Sequence, residues 1–112
     1  RMNAPLVSVL ISAYKHERYI EACVRSVQQQ TYSNIELIVL DDGSPDGTAS
    51  VLEILHREAE ANGKPFTFIA KQNSGLSDTL NQALAMANGK YICQFGKPGC
   101  GSVWWQRIEY RQ

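Results

Sequence analysis

An α/β fold built as three layers, α/β/α, around a mainly parallel sheet is predicted by three observations. Short runs of branched apolar residues alternate along the chain with longer segments of helical period. The segments between the runs are about ten to fifteen residues long, the length of a crossover helix between parallel strands. One run, Ile35 to Leu40, stops abruptly at Asp41-Asp42-Gly43, as a buried strand does when it delivers acids to the carboxyl edge of an open sheet.

The elements follow in order. Pro5 opens Leu6-Val7-Ser8-Val9-Leu10-Ile11, too short for a helix and rich in branched residues, so it reads as a strand buried on both faces, ending at Ser12-Ala13-Tyr14. A signal peptide would need a longer apolar run and a small-residue cleavage site, and this run instead enters Tyr14-Lys15-His16-Glu17-Arg18. Ile20, Cys23, Val24 and Val27 then recur at helical spacing, with Glu17, Glu21, Arg25 and Gln28 opposite. Beyond the Ile35 strand, Val51, Leu52, Leu55 and Ala59 mark a second helix stopped by Asn62-Gly63, with Asp46 placed to accept the free amide hydrogens of its first turn. Phe66 to Ala70 is a third strand. Leu76, Leu80, Ala83, Leu84 and Ala87 mark a third helix ended by Asn88-Gly89, and Tyr91 to Phe95 is a fourth strand. Residues 1–95 form one unit on this reading, and 96–112 a divergent segment. In that segment Pro98-Gly99-Cys100-Gly101 is loop chemistry, while Val103-Trp104-Trp105 and Ile108 lack a clear period, and the two tryptophans need a surface to bury against.

Composition narrows the function. The chain has 112 residues, 44% of them hydrophobic, enough for a single core. Its 11 basic and 11 acidic residues cancel, which argues against nucleic acid as a partner and favours a small molecule or another protein. Cys23, Cys93 and Cys100 are odd in number and lack metal spacing, pointing to a reducing, cytoplasmic setting. No stretch approaches the roughly 20 apolar residues of a membrane span.

Chemistry concentrates at the strand ends. Ionised Asp41 and Asp42 only accept hydrogen bonds, and at a strand end they suit a base imide and a ribose hydroxyl. One of them could instead only shape the Asp-Gly turn. Ser12 and Tyr14 fall on the same edge, where a tyrosine ring could stack on a base or simply pack. A second pattern overlaps the acids: Asp42, Ser44, Asp46, Gly47 and Glu53 occupy the ligand and glycine positions of a calcium-binding loop spanning 42–53. It lacks the preceding helix and contains Pro45. His16 and His56 have no nucleophile near them in sequence, and Gly43 and Gly47 lack the lysine of a phosphate-cradling loop.

Five ordered motifs lie along the chain: Val7 to Tyr14, Ser26 to Tyr32, Glu36 to Thr48 with its Asp-Asp-Gly-Ser-x-Asp-Gly-Thr core, Asn73-Ser74-Gly75 with Asn81-Gln82-Ala83, and Ala87 to Ile92. Together they resemble the start of a family 2 inverting glycosyltransferase of the GT-A fold, whose first half is Rossmann-like. The resemblance implies a site for a nucleotide-diphospho-sugar donor. Ser12 and Tyr14 would line the nucleoside pocket, Asp42 with Asp41 beside it would hold base and ribose, and Gly75 would let the backbone approach the donor. UDP is the first expectation for the nucleotide, and magnesium or manganese the expected ion of the intact family. The family's metal-binding Asp-x-Asp pair should follow the fourth strand, yet Gly96-Lys97-Pro98-Gly99 stands there without a carboxylate. The acceptor-binding half and its general base, which deprotonates the acceptor hydroxyl, are not recognisable either. The expectation is therefore a truncated or frame-altered donor-binding half, inactive alone. Its acceptor, a saccharide or lipid, is unspecified. The full-length protein is expected at a membrane periphery, and a sheet ending after four strands would expose an edge suited to a homodimer. The alternative is a non-catalytic nucleotide-binding or dimerising module.

Overall fold

The computed structural model describes residues 4–96 and 105–110. In chain order the elements are β1 (Val7–Ala13), α1 (Ile20–Gln28), β2 (Ile35–Asp42), α2 (Thr48–Ala61), β3 (Thr67–Lys71), α3 (Leu76–Met86), β4 (Tyr91–Gly96) and β5 (Trp105–Tyr110). They form one sheet in the order β3-β2-β1-β4-β5. β1 lies between β2 and β4, and all pairings among the first four strands are parallel. The α/β, Rossmann-like architecture expected from the sequence is therefore present.

Alternation along β1 and β2 divides the core in two. Val9, Ile11, Leu37 and Val39 pack with Ile20, Cys23, Val24 and Val27 of α1 and Leu52, Leu55 and Ala59 of α2. Leu10, Ile38 and Leu40, with Ile92 of β4, meet Ala83 and Ala87 at α3. Each of the fully buried aliphatic side chains among these contributes roughly 1.5–3 kcal/mol relative to exposure. Cys23 and Cys93 pack in the first cluster as small hydrophobes, and burial pushes the Cys23 thiol up to about 12, so it is not a nucleophile at neutral pH.

Two features differ from the sequence expectation. The stripe on α3 is rotated: Thr79, Ala83 and Ala87 are buried while Leu76 is 55% exposed. The first inward position goes to a threonine because it meets the polar end of the sheet described below. The second difference is β5. Trp105–Tyr110 pairs antiparallel with β4, Ile108 opposite Cys93 and Tyr110 opposite Tyr91. β4 is thus paired rather than open, and the edge strands of the described sheet are β5 and β3, the latter with Ile69 exposed. Charged and polar residues alternate irregularly in Trp105-Gln106-Arg107-Ile108-Glu109-Tyr110, which concealed the strand. Lys97, Cys100 and Trp104 lie outside the described residues. No described helix is long and apolar enough to cross a membrane.

The amino edge is closed by a polar clasp. Glu36 of β2 accepts from Ser8 Oγ at 2.6 Å and from the backbone N–H and side-chain amide of Asn88, both at 2.9 Å. Gly89 N–H in turn donates to Ser8 Oγ at 2.8 Å. A β-carbon at Gly89 would lie 2.6 Å from both Ser8 N and Ser8 Oγ, so only glycine lets the chain leave α3 and enter β4 this closely. Burial raises the Glu36 pKa, but the bonds from Ser8 and Asn88 outweigh it and leave the carboxyl below its ordinary value. A depressed folded-state pKa gives stability that is present above the unfolded value and lost as pH falls through the folded one. Glu36→Gln should therefore flatten part of the acid limb below about pH 4 in urea midpoints measured against pH, while lowering stability at neutral pH.

Candidate functional site

Parallel pairing brings the ends of β1, β2 and β3 to one edge: Ala13 lies opposite Asp41, and Asp42 opposite Lys71. Ser12, Asp41 and Asp42 are all buried there, whereas Tyr14, one residue past β1, is 39% exposed. The strand alternation that splits the core also splits the acids. Asp41 follows Leu37 and Val39 toward α1 and α2, and Asp42 follows Ile38 and Leu40 toward α3.

Asp41 organises the loops on its own face. Its oxygens accept from Ser44 Oγ at 2.6 Å and Ser44 N–H at 3.2 Å, and Ser44 Oγ accepts from Lys15 N–H at 3.0 Å. Fully buried Thr48 continues the seam, since its hydroxyl accepts from His16 N–H at 2.9 Å and donates to Asp46 at 2.6 Å. Asp46 also takes the Thr48 N–H at 3.1 Å, the bond expected of it, and Glu17 takes the Gly47 N–H at 3.0 Å. Burial raises the Asp46 pKa, but the Thr48 bonds hold it below the ordinary aspartate range. The β1–α1 turn is tight enough to force Lys15 to φ 58°, a left-handed conformation uncommon for a long side chain, and its ammonium stands 5.4 Å from the Tyr14 ring centroid.

Asp42 organises the other face. One oxygen accepts from Lys71 Nζ and Ser74 N–H, each at 2.8 Å, and the second from Gly75 N–H at 3.0 Å. Asn73 Nδ2 donates to the Asp42 backbone carbonyl at 2.8 Å. Gly75, at φ 97°, precedes α3. Burial pushes the Asp42 carboxyl up, but the Lys71 ammonium and the loop donors prevail and hold it below the ordinary range. The sequence singled out Ser12, Tyr14, Asp41, Asp42 and Gly75, and all five stand at this edge. It did not single out Lys71 or Thr79, and it named Asn73 only as part of the Asn73-Ser74-Gly75 motif. Lys71 directly follows the predicted third strand, but its tie to Asp42 depends on the β2–β3 register, which sequence does not display.

The remaining candidates resolve differently. His16 Nδ1 accepts from Tyr14 N–H at 3.2 Å. His56 sits edge-on to the Phe66 ring, centroids 5.4 Å apart, on the flank of the core. The 42–53 segment is strand, turn and helix, with Asp42 directed to Lys71 and Glu53 exposed on α2. Among the described residues no group of three or more His, Cys, Asp and Glu side chains could hold a metal ion, and the first carboxylate in sequence after Tyr91–Gly96 is Glu109. The described residues therefore offer no ligand set for the divalent ion of the intact family. A groove of about 540 Å³ lies at the opposite, amino edge, lined by Val27, Ile35, Leu37 and Phe66 with Tyr32 and Lys64, away from the acids.

The family model for glycosyl transferase family 2 matches residues 8–95. An uncharacterized glycosyltransferase of Haemophilus influenzae is 42% identical over 93 residues, covering 82% of this chain and 28% of that protein. A chondroitin synthase of Escherichia coli is 39% identical over 92 residues, 82% of this chain and 13% of the synthase. The chain thus spans under a third of the length of these curated relatives. Among solved structures, a mannosyltransferase from Pyrobaculum calidifontis in complex with GDP-Man and Mn2+ superposes with a TM-score of 0.70 at 27% identity, over 85% of this chain and 29% of that one. S. aureus TarS 1-349 in complex with UDP-GlcNAc gives 0.67 at 26% identity, over 81% and 26%.

Gly43 links the two faces and supplies a test. It lies at φ 69°, and a β-carbon there would come 2.6 Å from Asn73 N. Gly43→Ala is expected to destabilise the fold by about 1–3 kcal/mol through left-handed strain and this clash, read as a lowered urea midpoint.

Proposed function

The chain belongs to glycosyl transferase family 2, and from that premise we propose that its carboxyl edge binds the nucleotide of a nucleotide-diphospho-sugar donor for transfer of the sugar to an acceptor. The observation that carries the reading is the convergence of Ser12, Tyr14, Asp41, Asp42 and the Gly75 loop on one edge of a parallel sheet. In this reading the exposed Tyr14 ring stacks on the base. Asp41 and Asp42, each holding one of the flanking loops, close the pocket beneath base and ribose, and Ser12 lines it. Gly75, with open space where a side chain would stand, lets the backbone come close to the donor.

Transfer itself asks for more. A leaving diphosphate needs its charge offset, and an acceptor hydroxyl needs a base. Gln94 to Ile108 contains no carboxylate, and the described residues make no metal site. The chain by itself is accordingly proposed to bind donor without turning it over. The acceptor, saccharide or lipid, is chosen by parts of the longer relatives that this chain does not match. A cytoplasmic site of action with peripheral membrane contact belongs to the same proposal. The competing reading, a dimerising module, draws on the open β3 edge and the exposure of Ile69.

Calorimetric titration with UDP separates the two. The donor reading expects micromolar binding that manganese leaves unchanged. It also expects Tyr14→Ala to weaken affinity by about 1–3 kcal/mol, the measured worth of one base-aromatic stack. A cooperatively folded chain that ignores UDP and sediments as a dimer would establish the module instead.

A further inference from the structure

The Asp42 carboxylate is committed before any ligand arrives. A carboxylate offers about four acceptor positions. Lys71 Nζ, Ser74 N–H and Gly75 N–H occupy three, and Asn73 Nδ2 stands 3.4 Å from Oδ2 at the fourth. Lys71 is equally committed: its three protons are shared among Asp42, the Gln72 carbonyl at 2.8 Å, Ser74 Oγ and Thr79 Oγ1 at 3.2 Å. The side chains of Lys71 and Asp42 are only 10% and 5% exposed, so solvent screens the pair little. The other ionisable groups around it are Asp78 of α3, which accepts from Ser74 Oγ at 2.6 Å, and Asp41, turned to the far face of β2 and held by Ser44. No second cation among these partners could replace the ammonium.

Two successive backbone amides and a buried lysine therefore meet on one carboxylate, and Gly75 takes a left-handed φ to let them do so. Remove the positive charge and the carboxylate keeps its burial without compensation, which favours the protonated form. A protonated Asp42 loses acceptor capacity, and the loop from Gln72 to Gly75 loses its anchor. From this geometry we infer that Lys71 is a positioning residue of the donor site: its ammonium keeps Asp42 ionised, and the ionised carboxylate holds the 72–75 loop as one wall of the nucleotide pocket. The inference deepens the donor-site reading and rests on it.

The test uses the 112-residue chain and two independent readouts. Carboxyl NMR follows the titration of Asp42 without nucleotide, together with amide exchange at Ser74 and Gly75. Calorimetry follows UDP affinity from about pH 5 to 8, a range chosen to span a raised aspartate. In Lys71→Met, Asp42 should titrate above the wild-type range and the two amides should exchange at least about tenfold faster. UDP should bind about tenfold more weakly at the acid end and recover toward the alkaline end. Lys71→Arg should restore the flat wild-type profile. Lys71→Gln, which keeps hydrogen bonding without charge, carries the same expectations as Lys71→Met if the latter does not fold. Wild-type titration and protection in the neutral variants would overturn the inference, as would a changed titration with a flat UDP profile. Absence of UDP binding by the wild-type chain, with Asp42 still titrating low, would overturn the donor-site reading before any variant is compared.

Discussion

Burial of β1 and β2 on both faces is the constraint on which the rest of the molecule depends. A strand covered on one side only would leave one of two successive acids facing solvent. Here α1 and α2 take one face and α3 the other. The side-chain period of two then sends consecutive residues to different layers. Asp41 and Asp42 are neighbours in sequence and belong to separate neighbourhoods in space. One binds the loop that precedes α1 to the loop that precedes α2, and the other binds the loop that precedes α3. The edge is a pair of walls, each fixed by its own carboxylate.

The fold holds its two edges by unlike means. The centre is apolar and closely packed, from Leu10 and Ile11 through Ile38 and Leu52, all fully or nearly fully buried. At either end of the sheet the work passes to hydrogen bonds that accept no substitute. At the amino edge Ser8, Glu36, Asn88 and Gly89 close on one another. At the carboxyl edge Ser44 closes on Asp41, Thr48 on Asp46 and Ser74 on Asp42. A buried carboxylate with several donors is rigid so long as it stays charged, and it keeps loops in place that have little apolar surface of their own. This explains how a short turn carrying Lys15 in a left-handed conformation survives beside an exposed tyrosine.

Much of this was legible in the residues because the signals were local. The buried stripe of α1, namely Ile20, Cys23, Val24 and Val27, is the one its spacing predicts. The acids appear at the end of β2, and Asp46 takes the amide expected of it. What sequence concealed was every feature that depends on register. Lys71 looks like the polar end of a strand until β3 is laid beside β2 and it falls opposite Asp42. Thr79 displaced Leu76 from the inward face because a lysine, invisible from α3 alone, waits beneath it. β5 escaped because its alternation is mixed and its partner strand is the only thing that defines it.

The position of β1 has a consequence for how the chain reaches this state. The earliest of these strands in chain order becomes the middle of the sheet, with Val7 beside Ile35 on one flank and Tyr91 on the other. Its second flank stays unsatisfied until β4 arrives, after α1, β2, α2, β3 and α3. The apolar row from Val9 to Ile11 must then be sheltered by α1, α2 and β2 alone. Such a long-range closing step is slow relative to local helix formation. The nascent domain therefore passes through a stage in which this apolar strand is half covered, and Ser8, near its amino end and later tied to Gly89 and Glu36, is the group that registers the arrival of β4.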